Sequence, residues 1–183
     1  MEILNQNDIV DFWFSPEASE RWFQSTPEFD QMLRERFDHV WQQAKQGELE
    51  DWMETAVGCL ALVIVLDQLP LNMFRGEALS FFTESQARDV ARHAIQRGFD
   101  QAMPTEQKSF LYLPFMHSED LADQERALEL YNQPGLEANL RFAQHHHGIV
   151  NQFGRFPHRN DMLGRVSTEA ELEYLNSDQA FTG

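Results

Sequence analysis

From Val57 to Leu66 the chain is apolar without interruption. A helix that is apolar on every side cannot face water and must be enclosed by the rest of the fold. The spacing predicts such a helix from about Thr55 to Gln68, ended by Pro70, because a proline disfavours helical geometry in the residue before it. The core of the run, Cys59 to Leu66, is far shorter than the roughly 20 residues needed to cross a bilayer. Enclosure must therefore come from other helices of the same chain.

The remaining segments supply them. A short amphipathic helix is expected around Ile9, Phe12 and Trp13. Thr26-Pro27-Glu28 is a helix start, with a capping hydroxyl, a proline at the first helical position and an acid at the positive end of the dipole. Phe29, Leu33, Phe37, Val40, Trp41 and Ala44 follow at helical spacing, and Gly47 supplies the stop. Further helices are predicted from near Thr83 to a Gly98 stop, from Thr105 to Tyr112 with closure at Pro114, and after Ser118 as cap. Two more run from Leu136 to Phe153, closed by Gly154, and from Thr168, where Thr168 and Glu171 have capping-box spacing. No strand pair, linker or repeat signature is visible. The expected fold is all-α, an antiparallel helical array in a single domain spanning residues 1–183.

Composition narrows the partners. Of 183 residues, 42% are apolar, enough for a sizeable core. The net charge of −16 opposes general binding to nucleic acid or anionic lipid, so neither nucleic acid nor membrane is expected. The single cysteine, Cys59, excludes an internal disulfide framework and fits a reducing cytoplasm. Met1-Glu2-Ile3-Leu4-Asn5 lacks the basic start and apolar run of a signal peptide.

Candidate chemistry sits in four polar clusters. Between Ala138 and Val166 four arginines (Arg141, Arg155, Arg159, Arg165) face one acid, Asp161, so four less one leaves +3 in an acidic protein. Arginine suits bidentate recognition of carboxylate or phosphate, although Arg155 just after a helix end is also favoured by the dipole alone. Asp67 and Gln68 lie at the predicted carboxyl end of the buried helix, where a carboxylate needs a cation such as Arg75, Arg155 or Arg159. A simple Asp–Arg strut explains them equally well. In His117-Ser118-Glu119-Asp120, capping accounts for three residues and leaves His117 over. In the helix from Leu136, His147 interrupts an apolar stripe of Leu136, Leu140, Ala143 and Val150. Burying it requires a hydrogen-bond partner. His117, His147, His158, Asp67 and Glu119 could be drawn as a metal site, but no dense ligand motif supports one and no metal is assigned. No cofactor is indicated.

The strings DFWF (Asp11 to Phe14), LALVIVLDQLPLNMFRG (Leu60 to Gly76), FLYLPFMHSED (Phe110 to Asp120), FGRFPHRN (Phe153 to Asn160) and LGRVSTEAELEYL (Leu163 to Leu175) together resemble the bacterial domain-of-unknown-function 924 family over nearly the whole chain. The resemblance implies a helical fold similar to tetratricopeptide-repeat arrays, and it implies no activity. Its motif positions fall on Asp67, Gln68, Asn72, Arg75, Gly76, His117, Ser118, Glu119, His147, Arg155, His158, Arg159 and Asn160. Leu71 departs from it, standing where the family pattern has arginine.

Two functions follow as expectations. In the first, the clusters line a pocket for a small anionic molecule. Gln68, Asn72, Arg75, Ser118, Arg155, Arg159 and Asn160 hold the ligand, and His117, His147 or His158 acts as acid or base oriented by Asp67 or Glu119. Hydrolysis or proton transfer is then the default chemistry. In the second, the chain is a protein-interaction scaffold whose polar motifs are internal struts.

Overall fold

A computed structural model describes residues 4–181. The reading of Met1-Glu2-Ile3 lies outside them. The described residues are helical, with turns and no strand, as the patterning requires. They group into two compact units, one of residues 4–75 and 79–114, the other of residues 76–78 and 115–181.

The first unit contains α1 (Gln6–Trp13), the single turn α2 (Pro16–Ser19), α3 (Pro27–Lys45), α4 (Ala56–Val63), α5 (Leu69–Met73), α6 (Glu84–Gln96) and most of α7 (Thr105–Met116). The local start and stop signals hold. Thr26 accepts the Phe29 N–H, with Pro27 in the first turn of α3, and Gly98 follows α6 in the left-handed conformation that favours glycine. The apolar run is the centre of the unit: every residue from Gly58 to Asp67 is buried. Helices α1 and α6 pack on α4, and α3 packs on α5.

Neither proline stops its helix. Pro114 lies inside α7, which continues to Met116. At Pro70 the compensation is visible. Residues Ile64–Gln68 form a π-helical turn in which the Leu69 N–H reaches the Ile64 carbonyl, and α5 continues through Pro70 to Met73. Pro70 has no N–H for the Leu66 carbonyl. The Thr83 hydroxyl donates to that carbonyl instead at 2.6 Å, and its oxygen accepts the Trp41 indole N–H at 3.0 Å. The extension makes Ala56–Met73 an 18-residue segment long and apolar enough to span a membrane by length and composition, contrary to the reading from the shorter run, yet 83% of that window is buried within the protein.

Thr83 is fully buried, so Thr83→Val strands one donor and one acceptor away from water. A loss of about 2 kcal/mol is expected, with Thr83→Ser close to wild type. Urea unfolding followed by the fluorescence of Trp13, Trp22, Trp41 and Trp52, all of which belong to the first unit, measures it.

The second unit contains α8 (Leu121–Tyr131), α9 (Glu137–Phe153), the 3₁₀ turn Pro157–Arg159 and α10 (Glu169–Leu175). Asp120 caps α8, accepting the Ala122 and Asp123 N–H groups, so the cap lies two residues beyond Ser118. Helices α8 and α9 pack closely on each other. Ile149, Val150 and Phe156 form a buried cluster flanked by Phe153, Tyr174 and Phe181. Gly154 ends α9 in the left-handed conformation and turns the chain into the FGRFPHRN segment.

Candidate functional site

In the first unit Asp67 is fully buried within the π turn, and the Gln68 amide donates to its carboxylate. Because the helix runs on to Met73, Asp67 is not at a carboxyl terminus, and the dipole argument that sought a cation for it falls away. Arg75 pairs instead with Asp30 of α3, its Nε donating at 2.7 Å. Asp30 also accepts from the Asn72 amide at 2.8 Å and the Ser25 hydroxyl at 2.6 Å. Burial alone would raise the Asp30 carboxyl, but Arg75, Ser25 and Asn72 together hold it below its ordinary value. Asn72 and Arg75 thus form a strut from α5 to α3. Deeper in the unit, Asp67 and Glu84 bring carboxylate oxygens within 4.8 Å of each other, both side chains buried. Paired buried carboxylates are a chemistry that shares a proton or attracts a cation.

In the second unit two of the four arginines of the cationic island, Arg155 and Arg165, are neutralised from within. Glu119 accepts a bidentate pair from Arg165, at 2.7 and 2.9 Å, and the backbone N–H of Phe156 at 2.8 Å. Burial pushes its carboxyl up, and these donors overcome that and hold it below the usual range. Arg165 also donates to the Asn160 side-chain oxygen at 2.9 Å and to the Phe156 carbonyl at 3.1 Å. Asn160, almost fully buried, donates to Ser167 and Glu171. Glu171 accepts a second bidentate pair, from Arg155 at 2.6 and 2.8 Å, while closing the capping box on the Thr168 N–H at 2.8 Å. Hydrogen bonding from Arg155, ahead of every other influence, draws the Glu171 carboxyl down to about 2. The same pairing raises the Arg155 guanidinium above its ordinary value.

Five side chains therefore form one chain of charge-assisted bonds, Glu119–Arg165–Asn160–Glu171–Arg155. The sequence pointed to Glu119, Arg155 and Asn160 as site residues. It counted Arg165 only in the charge balance and read Glu171 only as a cap. Ser118 serves elsewhere: its hydroxyl donates to Asp123 at 2.7 Å and accepts the Asp120 N–H.

The imidazoles are placed differently from expectation. His146, one residue before the histidine singled out in α9, is the buried one, in line with Ala143, Ile149 and Val150; His147 is half-buried. The His146 Nδ1 lies 2.8 Å from the Phe142 carbonyl, which can only accept, so Nδ1 carries the proton. Burial, above all, drives the His146 imidazole down to about 3 and the His158 imidazole down to about 4. His158 is half-buried and its Nδ1 has no hydrogen-bond partner. Arg159 is buried, lies over the Phe156 ring at 4.8 Å and donates to the His117 carbonyl at 3.1 Å.

This is an all-helical fold in which Asn72, Arg75, Ser118, Glu119, Arg155 and Asn160 are each bound to other protein groups. Residues 9–179 match the family described as bacterial protein of unknown function (DUF924), and the chain belongs to that family. A solved structure of a protein of unknown function, ATU0120 from Agrobacterium tumefaciens, is similar at 44% identity with a TM-score of 0.88, over 93% of this chain and 96% of that one. Among curated proteins none matches.

Proposed function

We propose that this protein is a helical interaction scaffold whose family motifs act as internal struts. The supporting observation is the closure of the Glu119–Arg165–Asn160–Glu171–Arg155 chain, in which the arginines are answered by protein carboxylates. A site built to hold an anion keeps its cations for the ligand; here two of them are engaged by bidentate pairing. The same struts adjoin two exposed apolar side chains. Val166, whose carbonyl accepts from Arg155, is 88% exposed, and Leu172, which follows Glu171, is 49% exposed; Arg155 and Glu171 also line a cleft of about 450 Å³ with Gln152, Phe153, Thr168 and Ala170. We read these side chains as part of an interaction surface of the kind helical-repeat arrays present to peptides. A cytoplasmic setting agrees with a single, buried thiol at Cys59.

A double substitution, Val166→Asp with Leu172→Asp, tests the reading. The expected result is an unchanged melting temperature with loss of the partner that the wild-type chain retains on affinity capture. Capture of the same partner by both proteins would remove this surface from consideration. Stabilisation of the wild type by a panel of phosphates and carboxylates, abolished in Arg155→Ala, would reverse the reading in favour of an anion site.

A small-molecule site is the second reading, and the half-buried His158 with its unpartnered Nδ1 favours it. On that reading His158, His117 and Arg159 would contact the ligand.

A further inference from the structure

Beyond α10 the chain folds back over His146 and His158. The Ser177 N–H bonds to the Tyr174 carbonyl, the Ala180 N–H to the Ser177 carbonyl, and the Phe181 N–H to the Tyr174 hydroxyl at 2.9 Å. These bonds seat the Phe181 ring on two imidazoles, 4.6 Å from His146 and 5.0 Å from His158 between centroids. On the inner side the same two rings rest on Phe156, at 5.5 and 5.7 Å. A pair of imidazoles is thus held between a core phenylalanine and one carried by a short strap. Phe181 itself is only half-buried.

The charged surroundings do not welcome a proton on either ring. His117, His145 and His158 face His146. Arg159, Glu119, His117 and Arg165 face His158. The one carboxylate among them, Glu119, is already committed to Arg165 and the Phe156 N–H. A protonated ring in this position would be largely removed from water, and at His158 it would lie beside the guanidinium groups of Arg159 and Arg165.

We propose that the 177–181 strap is an acid-released lid, seated over His146 and His158 while both rings are neutral and displaced when they take up protons. The direction follows from linkage. Under the strap the rings hold protons only near pH 3 and pH 4, chiefly because they are buried, and an imidazole that regains water moves back toward the ordinary value of about 6.5. Above pH 6.5 both states carry neutral rings and acid exerts no pull. As pH falls below 6.5 the open state binds protons that the closed state refuses, so each unit favours opening by up to about tenfold per histidine. The pull saturates only when the closed-state values are reached. The lid does not depend on the scaffold reading, since it involves neither Val166 nor Leu172.

Solution NMR of the full chain between pH 7.5 and 5.5 tests it. The expected result is a fall of at least tenfold in the protection of the Phe181 amide, after correction for the intrinsic exchange rate, while amides in the middle of α8 keep theirs. In Phe181→Ala, which removes the ring over the two imidazoles while Ile149, Val150 and Phe156 remain, His146 and His158 should titrate markedly closer to 6.5 than in wild type. Constant Phe181 protection over this range would overturn the proposal. So would parallel loss of protection in α8, which would mean that the whole unit opens, or unchanged titration of both imidazoles in Phe181→Ala.

Discussion

Glu171→Ala should be among the most costly single substitutions in the second unit, with an expected loss of about 3 to 4 kcal/mol. Two independent roles end with the carboxylate. The capping box at Thr168 loses its reciprocal acceptor, worth about 1 kcal/mol. The bidentate bond from Arg155 and the bond from Asn160 also go, and hydrogen bonds to charged groups contribute about 1.5 to 3 kcal/mol. Glu171→Gln, which keeps an acceptor for the cap, should lose roughly half as much. Urea unfolding followed by circular dichroism, with hydrogen exchange localised to α9 and α10, separates the two variants. The pH dependence carries a matching sign. The Glu171 carboxyl lies near 2 in the fold against an ordinary 4.5, so its contribution is fully present above pH 4.5 and is lost as pH falls toward 2. An Ala variant as stable as wild type at pH 7 would show that the chain of bonds is incidental.

Gly58→Ala should cost about 3 kcal/mol for a different reason. A methyl group at this position would collide with the carbonyl oxygen of Trp52 and with the Gln6 side chain. The Gln6 amide can swing away. The Trp52 carbonyl belongs to the 3₁₀ turn Glu50–Glu54, which packs on α4, and moving it displaces that turn as a body. Overpacking against backbone falls at the upper end of the usual range of about 1 to 3 kcal/mol. Tryptophan fluorescence during urea unfolding should show the midpoint shift, and a near-wild-type midpoint would mean that the turn adapts freely.

What the sequence disclosed and what it withheld divide along the range of the forces involved. The Thr26-Pro27 start of α3, the Thr168–Glu171 box and the glycine stops at Gly98 and Gly154 were legible because cap and partner lie within one helical turn. The apolar run announced a buried helix because burial on all faces leaves no other solution. The extension through Pro70 was not legible, because the group replacing its missing N–H is the hydroxyl of Thr83, 17 residues from Leu66. Arg75 likewise found Asp30, 45 residues away, rather than its near neighbour Asp67. In α9 the error was one of phase: adjacent residues point about 100° apart, so reading the buried stripe one position late exchanged His147 for His146. The cationic island was visible as a composition. That Arg155 and Arg165 spend their charge on Glu171 and Glu119 was not, since a side chain's sequence neighbours do not reveal whether its counter-ion is a ligand or the protein itself.

The π turn has an arithmetic consequence. It holds one residue more than an α-helix of the same rise would need, and that surplus sets the rotation of α5, which packs on α3, relative to α4, which packs on α1 and α6. Removing the extra residue would leave a more regular helix and turn everything after it by about 100°, swinging Asn72 and Arg75 off Asp30. Between Val63 and Leu69 the constrained quantity is therefore the number of residues as much as their identity. Side chains there can be exchanged within the limits of packing, whereas an insertion or deletion changes which helix faces which.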